Sequence, residues 1–185
     1  MRALVTKPIV FIGMMGSGKS AIGKRVARKL NLQFYDSDKV IEEREKLSII
    51  DIYDFKGESY FRKMEEEVTR EVLEYGVIVL STGGSTFLND VLRVVIQKKA
   101  ISIWLYADID VLYNRVARRN TRPELICGDK KETLSKLMAE RNPIYQQADI
   151  VVDSKDSDTH YIVDAVMVKL KKYLLSSDSA NGPST

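Results

Sequence analysis

Residues Gly13 to Ser20 combine the groups that bind a nucleoside triphosphate. They read Gly-Met-Met-Gly-Ser-Gly-Lys-Ser, a complete G-x-x-x-x-G-K-S phosphate-binding loop between an apolar run and a helical segment. Glycines let backbone N–H groups turn toward an anion, and a helix N-terminus adds partial positive charge behind them. Lys19 can reach the terminal phosphates, and the Ser20 hydroxyl can bind Mg²⁺. The motif predicts a nucleotide-binding protein, but kinases, GTPases and motor proteins all use it.

Two carboxylates, Asp36 and Asp38, follow the second apolar run, where they would lie beside the phosphate-binding loop. One carboxylate can hold Mg²⁺ or its water ligands, and the other can accept the proton of a hydroxyl nucleophile. Because Asp36 is closer to the end of the strand, we assign it to the metal and Asp38 to the substrate hydroxyl. Capping of the next helix by Asp38 would explain one aspartate but not both.

Three arginines and a glycine pair are further candidates for substrate binding. Arg62, Arg122 and Arg141 each carry a guanidinium that can hold a carboxylate or phosphate through two parallel hydrogen bonds. Gly83 and Gly84 follow the third apolar run, where the lack of side chains permits close approach of a ligand to the backbone. Each arginine taken alone is also compatible with a surface position, and Arg62 precedes two glutamates at helical spacing.

These candidates require a scaffold in which strands alternate with helices. Strand-like runs occur at Ile9–Ile12, Gln33–Tyr35, Val77–Leu80, Ile101–Leu105 and Ile150–Val152. The alternation predicts a parallel sheet with helices on both faces, and ligands bind beyond the carboxyl ends of such strands. Before the third run, a capping pair predicts a short helix over 49–55, and an apolar stripe predicts a long helix over 58–75. The charged segment 118–131 fits either a surface loop or a mobile lid.

Composition narrows the class of protein. The 185 residues, 44% hydrophobic and 30% charged, suit one domain at about 1–175, followed by a disordered tail at 176–185. The net charge of +3 is weak support for a nucleic-acid partner, and no apolar run is long enough to cross a membrane. One cysteine excludes an intramolecular disulfide framework, and one histidine excludes a multi-histidine metal site. A cytoplasmic enzyme is the simplest interpretation of these features, and we expect it to be a monomer that binds neither nucleic acid nor a membrane.

Taken in chain order, the motifs resemble those of the shikimate kinase family. They are G-x-x-G-S-G-K-S, Asp-Ser-Asp, Gly-Glu-x-x-Phe-Arg-x-x-Glu, Thr-Gly-Gly, Arg-Pro and Arg-x-Pro-x-Tyr, between Ile9 and about Val152. The resemblance implies an α/β P-loop NTPase fold of the nucleoside-monophosphate-kinase type, with a parallel sheet in the order 2-3-1-4-5 and a mobile lid. It also implies Mg²⁺-dependent transfer of the γ-phosphoryl group of ATP to the 3-hydroxyl of shikimate, in chorismate and aromatic amino acid biosynthesis.

The resemblance also implies roles for the residues at matching positions. Those implied for ATP are Gly16, Ser17, Gly18, Lys19, Ser20, Ala21, Arg115 and Arg122, with Arg115 near the adenine and Arg122 in the lid. Those implied for shikimate are Asp38, Arg62, Gly83, Gly84 and Arg141, with the arginines on its carboxylate. Asp38 would be the base, with Lys19 and Arg122 stabilising charge, and Ser20 and Asp36 would hold Mg²⁺. The acceptor-binding helices would span about 36–65.

Two positions depart from the family pattern, and two rival functions stay open. Ser85 stands where the family usually has a third glycine, which puts the backbone angles there in question. Glu124 places a negative charge next to the lid arginine. A nucleoside-monophosphate kinase needs no base, and the guanine motif of a GTPase, Asn-Lys-x-Asp, is absent. A kinase of a sugar acid needs the same groups, however, and a non-catalytic nucleotide-binding module is compatible with both departures.

Overall fold

A parallel sheet forms the centre of the molecule. The computed structural model describes residues 1–116, 129–155 and 158–180. Within them, five parallel strands lie in the order β2-β3-β1-β4-β5. They are β1 Ile9–Ile12, β2 Phe34–Asp36, β3 Val79–Ser81, β4 Ile101–Tyr106 and β5 Ile150–Asp153. The predicted strand positions and order are confirmed, with small shifts at the strand ends.

Helices cover both faces of this sheet. They are α1 Lys19–Leu30, α2 Ser37–Glu45, α3 Ile49–Leu73, α4 Asp90–Lys99, α5 Ile109–Val116, α6 Lys130–Tyr145 and α7 Thr159–Ala180. The central strand β1 is buried on both sides. Its Val10 and Ile12 belong to one hydrophobic core, and its Ile9 and Phe11 belong to the other. This alternation explains why the strand is apolar at every position.

Gly57 divides α3 into the two helices that the sequence predicts. Its φ of 82° and ψ of 165° are non-helical, and a Cβ there would meet no atom within 4 Å. The left-handed backbone angle, rather than lack of space, therefore favours glycine. The first half begins with a capping box in which Ser48 and Asp51 accept hydrogen bonds from each other's backbone N–H. The second half carries Arg62 and Glu65 to the loop after β3.

The last helix continues further than the sequence predicts. Helix α7 extends to Ala180, and the hydroxyl of Ser176 donates to the carbonyl oxygen of Tyr173 at 2.9 Å. Residues 176–180 are thus helical, which corrects the predicted start of the disordered tail, while 181–185 lie outside the described residues. Residues 176–180 are mostly polar and show no apolar periodicity, so their sequence does not indicate a helix. A helix that already packs on the sheet can nevertheless continue through such residues. Among the described helices, none has the length and apolar character needed to span a bilayer.

Candidate active site

The phosphate-binding loop joins β1 to α1, as the motif predicts. Lys19 is buried, and its Nζ donates to the carbonyl oxygens of Gly13 at 2.8 Å and Met14 at 2.9 Å. A cavity of about 500 Å³ opens over this loop. The predicted nucleotide and metal residues that line it are Gly16, Gly18, Lys19, Ser20, Ala21, Asp36 and Arg115. The loop, the lysine and the start of α1 therefore border one space that can admit phosphates.

Ser20 and Asp36, the candidate metal ligands, lie together at the cavity. The hydroxyl of Ser20 donates to Asp36 Oδ2 at 2.5 Å and lies 3.2 Å from the hydroxyl oxygen of Ser81. Asp36 is also the N-cap of α2, because its Oδ1 accepts from the backbone N of Lys39 at 3.4 Å. The helix cap is thus Asp36, whereas the sequence suggested Asp38. The oxygen atoms of these three side chains fit Mg²⁺, which prefers oxygen ligands and keeps several waters.

The loop after β3 brings the acceptor-binding candidates together. A Cβ built on Gly83 would lie 3.2 Å from Asp38 Oδ1 and 2.6 Å from Glu65 Oε1, so this close approach requires glycine. A Cβ built on Gly84 would lie 3.7 Å from Arg141 Nη1. The two glycines therefore place Asp38 and Arg141 beside adjacent residues of a single loop.

Arg62 reaches the next residue of the same loop. Its Nη1 donates to the hydroxyl of Ser85 and lies 3.3 Å from Glu65 Oε2. Its Nε and Nη2 donate to Glu58 Oε1 at 3.2 and 2.8 Å. Pairing with glutamates of the same helix, which the sequence suggested, therefore accounts for only part of the contacts of Arg62. Asp38, Arg141 and Arg62 thus lie beside Gly83, Gly84 and Ser85, which are successive residues of this loop.

Glu65 is a further candidate site residue, which the sequence motifs did not single out. Its side chain is 2% exposed, and Thr86 Oγ1 donates to its Oε1 at 2.7 Å. Burial raises the pKa of its carboxyl, and hydrogen bonds from Thr86 and Ser85 together with the charge of Arg62 oppose that rise. The sequence signal was the final glutamate of the Gly-Glu-x-x-Phe-Arg-x-x-Glu motif, whose spacing also fits an ordinary surface pair.

Arg115 contacts the backbone of the phosphate-binding loop. Its Nη1 donates to the carbonyl oxygens of Gly16 at 3.3 Å and Ser17 at 3.4 Å, and to the hydroxyl of Ser154 at 3.0 Å. Ser154 in turn donates to the carbonyl oxygen of Ser17 at 2.8 Å. Contact with adenine stays a prediction for Arg115. Ser154 was missed, although it directly follows β5 at the carboxyl edge of the sheet, where ligands bind.

The predicted lid lies mostly outside the described residues. This applies to Arg122, to Glu124 and to the single cysteine. The last part of the segment is described, because α6 begins at Lys130 with Asp129 as its N-cap. The carboxylate of Asp129 accepts two backbone N–H groups at 2.7 and 3.1 Å. Residues 129–131 are therefore the start of the helix that carries Arg141.

The amino-acid sequence of this chain is similar to those of shikimate kinases. The family model described as shikimate kinase matches residues 15–171. The shikimate kinase of Bartonella quintana is 41% identical over 94% of this chain and 83% of its own length. That of Rhodopseudomonas palustris is 43% identical over 95% of this chain and 86% of its own length.

Solved structures agree with these relatives. The shikimate kinase from Acinetobacter baumannii in complex with shikimate has a TM-score of 0.88 at 27% identity, over 92% of this chain and 97% of that chain. A gluconokinase from Sinorhizobium meliloti has a TM-score of 0.64 at 18% identity, over 96% of this chain and 98% of that chain. The second likeness shows a shared fold alone.

Proposed function

This chain belongs to the shikimate kinase family, and we propose that it transfers the γ-phosphoryl group of ATP to the 3-hydroxyl of shikimate. The observation that carries the proposal is the convergence of Asp38, Arg62 and Arg141 on residues 83–85, next to the phosphate-binding loop. A carboxylate and two guanidiniums are the groups needed by an acceptor with a hydroxyl nucleophile and a carboxylate. The product, shikimate 3-phosphate, would serve chorismate and aromatic amino acid biosynthesis.

The acceptor side supplies orientation and a base. Arg62 and Arg141 would hold the carboxylate of shikimate, which fixes the ring and points its 3-hydroxyl at the γ-phosphate. The hydroxyl oxygen would form a bond to the γ-phosphorus while the bond from that phosphorus to the β,γ-bridging oxygen breaks. Asp38 would accept the hydroxyl proton, and ADP would leave with the electron pair of the broken bond.

The nucleotide side supplies charge stabilisation. We propose that Lys19 exchanges its bonds to the loop carbonyls for contacts to the terminal phosphates, and that Arg122 reaches them from the lid. Ser20 and Asp36 would hold Mg²⁺, with Ser81 close to both side chains. When bound, Mg²⁺ would neutralise charge on the phosphate oxygens.

A cytoplasmic monomer is the form in which we propose that the enzyme acts. A single cysteine in 185 residues gives no intramolecular disulfide and is consistent with a reducing compartment. Light scattering of the purified protein at assay concentration would test the monomer proposal, and an active dimer would contradict it.

A coupled assay of ADP release tests the function most simply. The purified chain is given Mg²⁺ and ATP with shikimate, gluconate or AMP in parallel reactions. We expect turnover with shikimate that exceeds turnover with either other acceptor. Faster turnover with gluconate would indicate a sugar-acid kinase, and tight ATP binding without any turnover would indicate a non-catalytic module. Either result would overturn the proposal.

A further inference from the structure

Ser85 lies between two charged groups of the acceptor site. Its hydroxyl accepts a hydrogen bond from Arg62 Nη1 and lies 3.2 Å from both carboxylate oxygens of Glu65, to which it can donate. Its φ of −97° and ψ of −16° are in the right-handed region that any residue adopts. Position 85 therefore has no conformational need for glycine, and the serine adds a polar group to the site.

Glu65 is a fixed partner for the Ser85 hydroxyl, because its own side chain is held in place. Its carboxylate is buried, and Thr86 Oγ1 donates to it at 2.7 Å. A Cβ on Gly83 would already be too close to it, which shows how tightly the loop packs against this carboxylate. Ser85 thus connects Arg62 to a group that is held in place by its surroundings.

The other contact of Arg62 is a weaker restraint. Glu58 lies one helical turn before Arg62 on α3, and its side chain is 63% exposed. Exposed ion pairs at this spacing contribute little, because water and salt screen them and long side chains lose entropy when they pair. Glu58 alone would therefore leave the guanidinium of Arg62 free to move along the helix surface. The inner contacts, to Glu65 and Ser85, define its direction.

We propose that Ser85 is a positioning residue that holds Arg62 in the orientation in which it binds the carboxylate of the acceptor. This inference rests on the proposed function. Without the hydroxyl, Glu65 Oε2 at 3.3 Å would be the one hydrogen-bond partner left to Arg62 on this side among the described residues. Because Ser85 contacts the acceptor-binding arginine, its loss changes acceptor binding more than ATP binding or the transfer step.

Steady-state kinetics of Ser85→Ala tests the proposal. We expect the KM for shikimate to rise about 10- to 150-fold, the range that corresponds to losing one hydrogen bond to a charged group. The kcat and the KM for ATP should stay within about twofold of wild type. Ser85→Gly removes the same hydroxyl and should behave alike. Ser135→Ala, at an exposed serine of α6, is the matched control and should leave all three constants unchanged.

A double-mutant cycle separates positioning from a general structural effect. In an Arg62→Ala background, Ser85→Ala should change kcat/KM for shikimate by less than about twofold, because the group that it positions is gone. In an Arg141→Lys background, the full effect should persist. An unchanged shikimate KM in both Ser85 variants would overturn the inference. So would an effect of Ser85→Ala in the Arg62→Ala background that equals its effect in wild type. In either case, turnover of shikimate by the wild type would still support the proposed function. A wild type that does not turn over shikimate would overturn both.

Discussion

Asp36 and Asp38 are two residues apart but serve different sides of the site. Asp36 is the N-cap of α2 and accepts a hydrogen bond from Ser20, so it lies on the side of the phosphate-binding loop. Asp38 is the second residue of the helix, and its Oδ1 lies beside Gly83 on the acceptor side. Only Ser37 thus separates the candidate metal ligand from the candidate base.

Replacing the candidate base gives the first prediction. Asp38→Asn keeps the size of the side chain but cannot accept the hydroxyl proton, so we expect kcat to fall by roughly 10²- to 10⁴-fold. The Kd for ATP, measured by calorimetry, should change little, because Asp36 and Lys19 are untouched. A near-normal kcat would remove Asp38 from the mechanism.

Arg141 provides the second prediction at this scale. Arg141→Lys retains a positive charge but loses the planar fork that binds a carboxylate through two hydrogen bonds. The KM for shikimate should therefore rise by about 10-fold or more, with a much smaller change in the KM for ATP. A shikimate titration that gives the wild-type KM would reject the assignment. Lys136→Arg, at an exposed position of the same helix, is a suitable control.

The buried carboxyl of Glu65 predicts a pH-dependent stability. Burial raises its pKa, so the folded state binds this proton more tightly than the unfolded state does. Its contribution to stability is therefore greatest below the unfolded pKa of about 4.3 and is lost as the pH rises through the folded pKa. We expect the free energy of unfolding of wild type to fall relative to Glu65→Gln over that interval, as measured by urea denaturation. Parallel pH profiles for the two proteins would contradict this.

At the scale of elements, helix α3 links stability to acceptor binding. It starts at the capping box of Ser48, bends at Gly57 and then presents Arg62 and Glu65 to the loop after β3. The sequence predicted both helical halves, because the capping pair, the glycine and the apolar stripe are local signals. It did not identify Glu65 as a site residue, because burial of a glutamate depends on packing against a loop that is distant in sequence.

The start of this helix gives a prediction about stability. Ser48→Ala removes the side-chain acceptor of the capping box and should lower the free energy of unfolding by about 1 kcal/mol. The kcat and both KM values should stay near wild type, because the bend at Gly57 separates the cap from the site. Ser59→Ala, at an exposed position of the same helix, is the control for urea denaturation. A Ser48→Ala variant as stable as this control would show that the cap contributes little.

At the scale of the whole molecule, buried contacts join the two substrate sides. The hydroxyl of Tyr145 donates to the carbonyl oxygen of Gly84, and its ring lies 5.9 Å from that of Trp104. Trp104 packs against Gly13, at the start of the phosphate-binding loop. The packed rings of Tyr145 and Trp104 therefore connect the loop after β3 with the phosphate-binding loop and fix the distance between them.

The global arrangement was partly predictable from sequence. Alternating strands and helices predict a parallel sheet, and the carboxyl-end rule then brings the residues after β1, β2 and β3 together. The strand order came from the family resemblance, because alternation alone allows several orders. Ser81 and Ser154 were missed, since single serines after strands are common and give no distinctive spacing.

A structure of the chain with shikimate, Mg²⁺ and a non-hydrolysable ATP analogue is the most direct test of the site. We expect the 3-hydroxyl of shikimate to lie within about 2.6–3.2 Å of the Asp38 carboxylate and to face the γ-phosphate. Its carboxylate should lie about 2.7–2.9 Å from the guanidiniums of Arg62 and Arg141. A shikimate carboxylate bound away from both arginines, with Asp38 facing no hydroxyl, would contradict it.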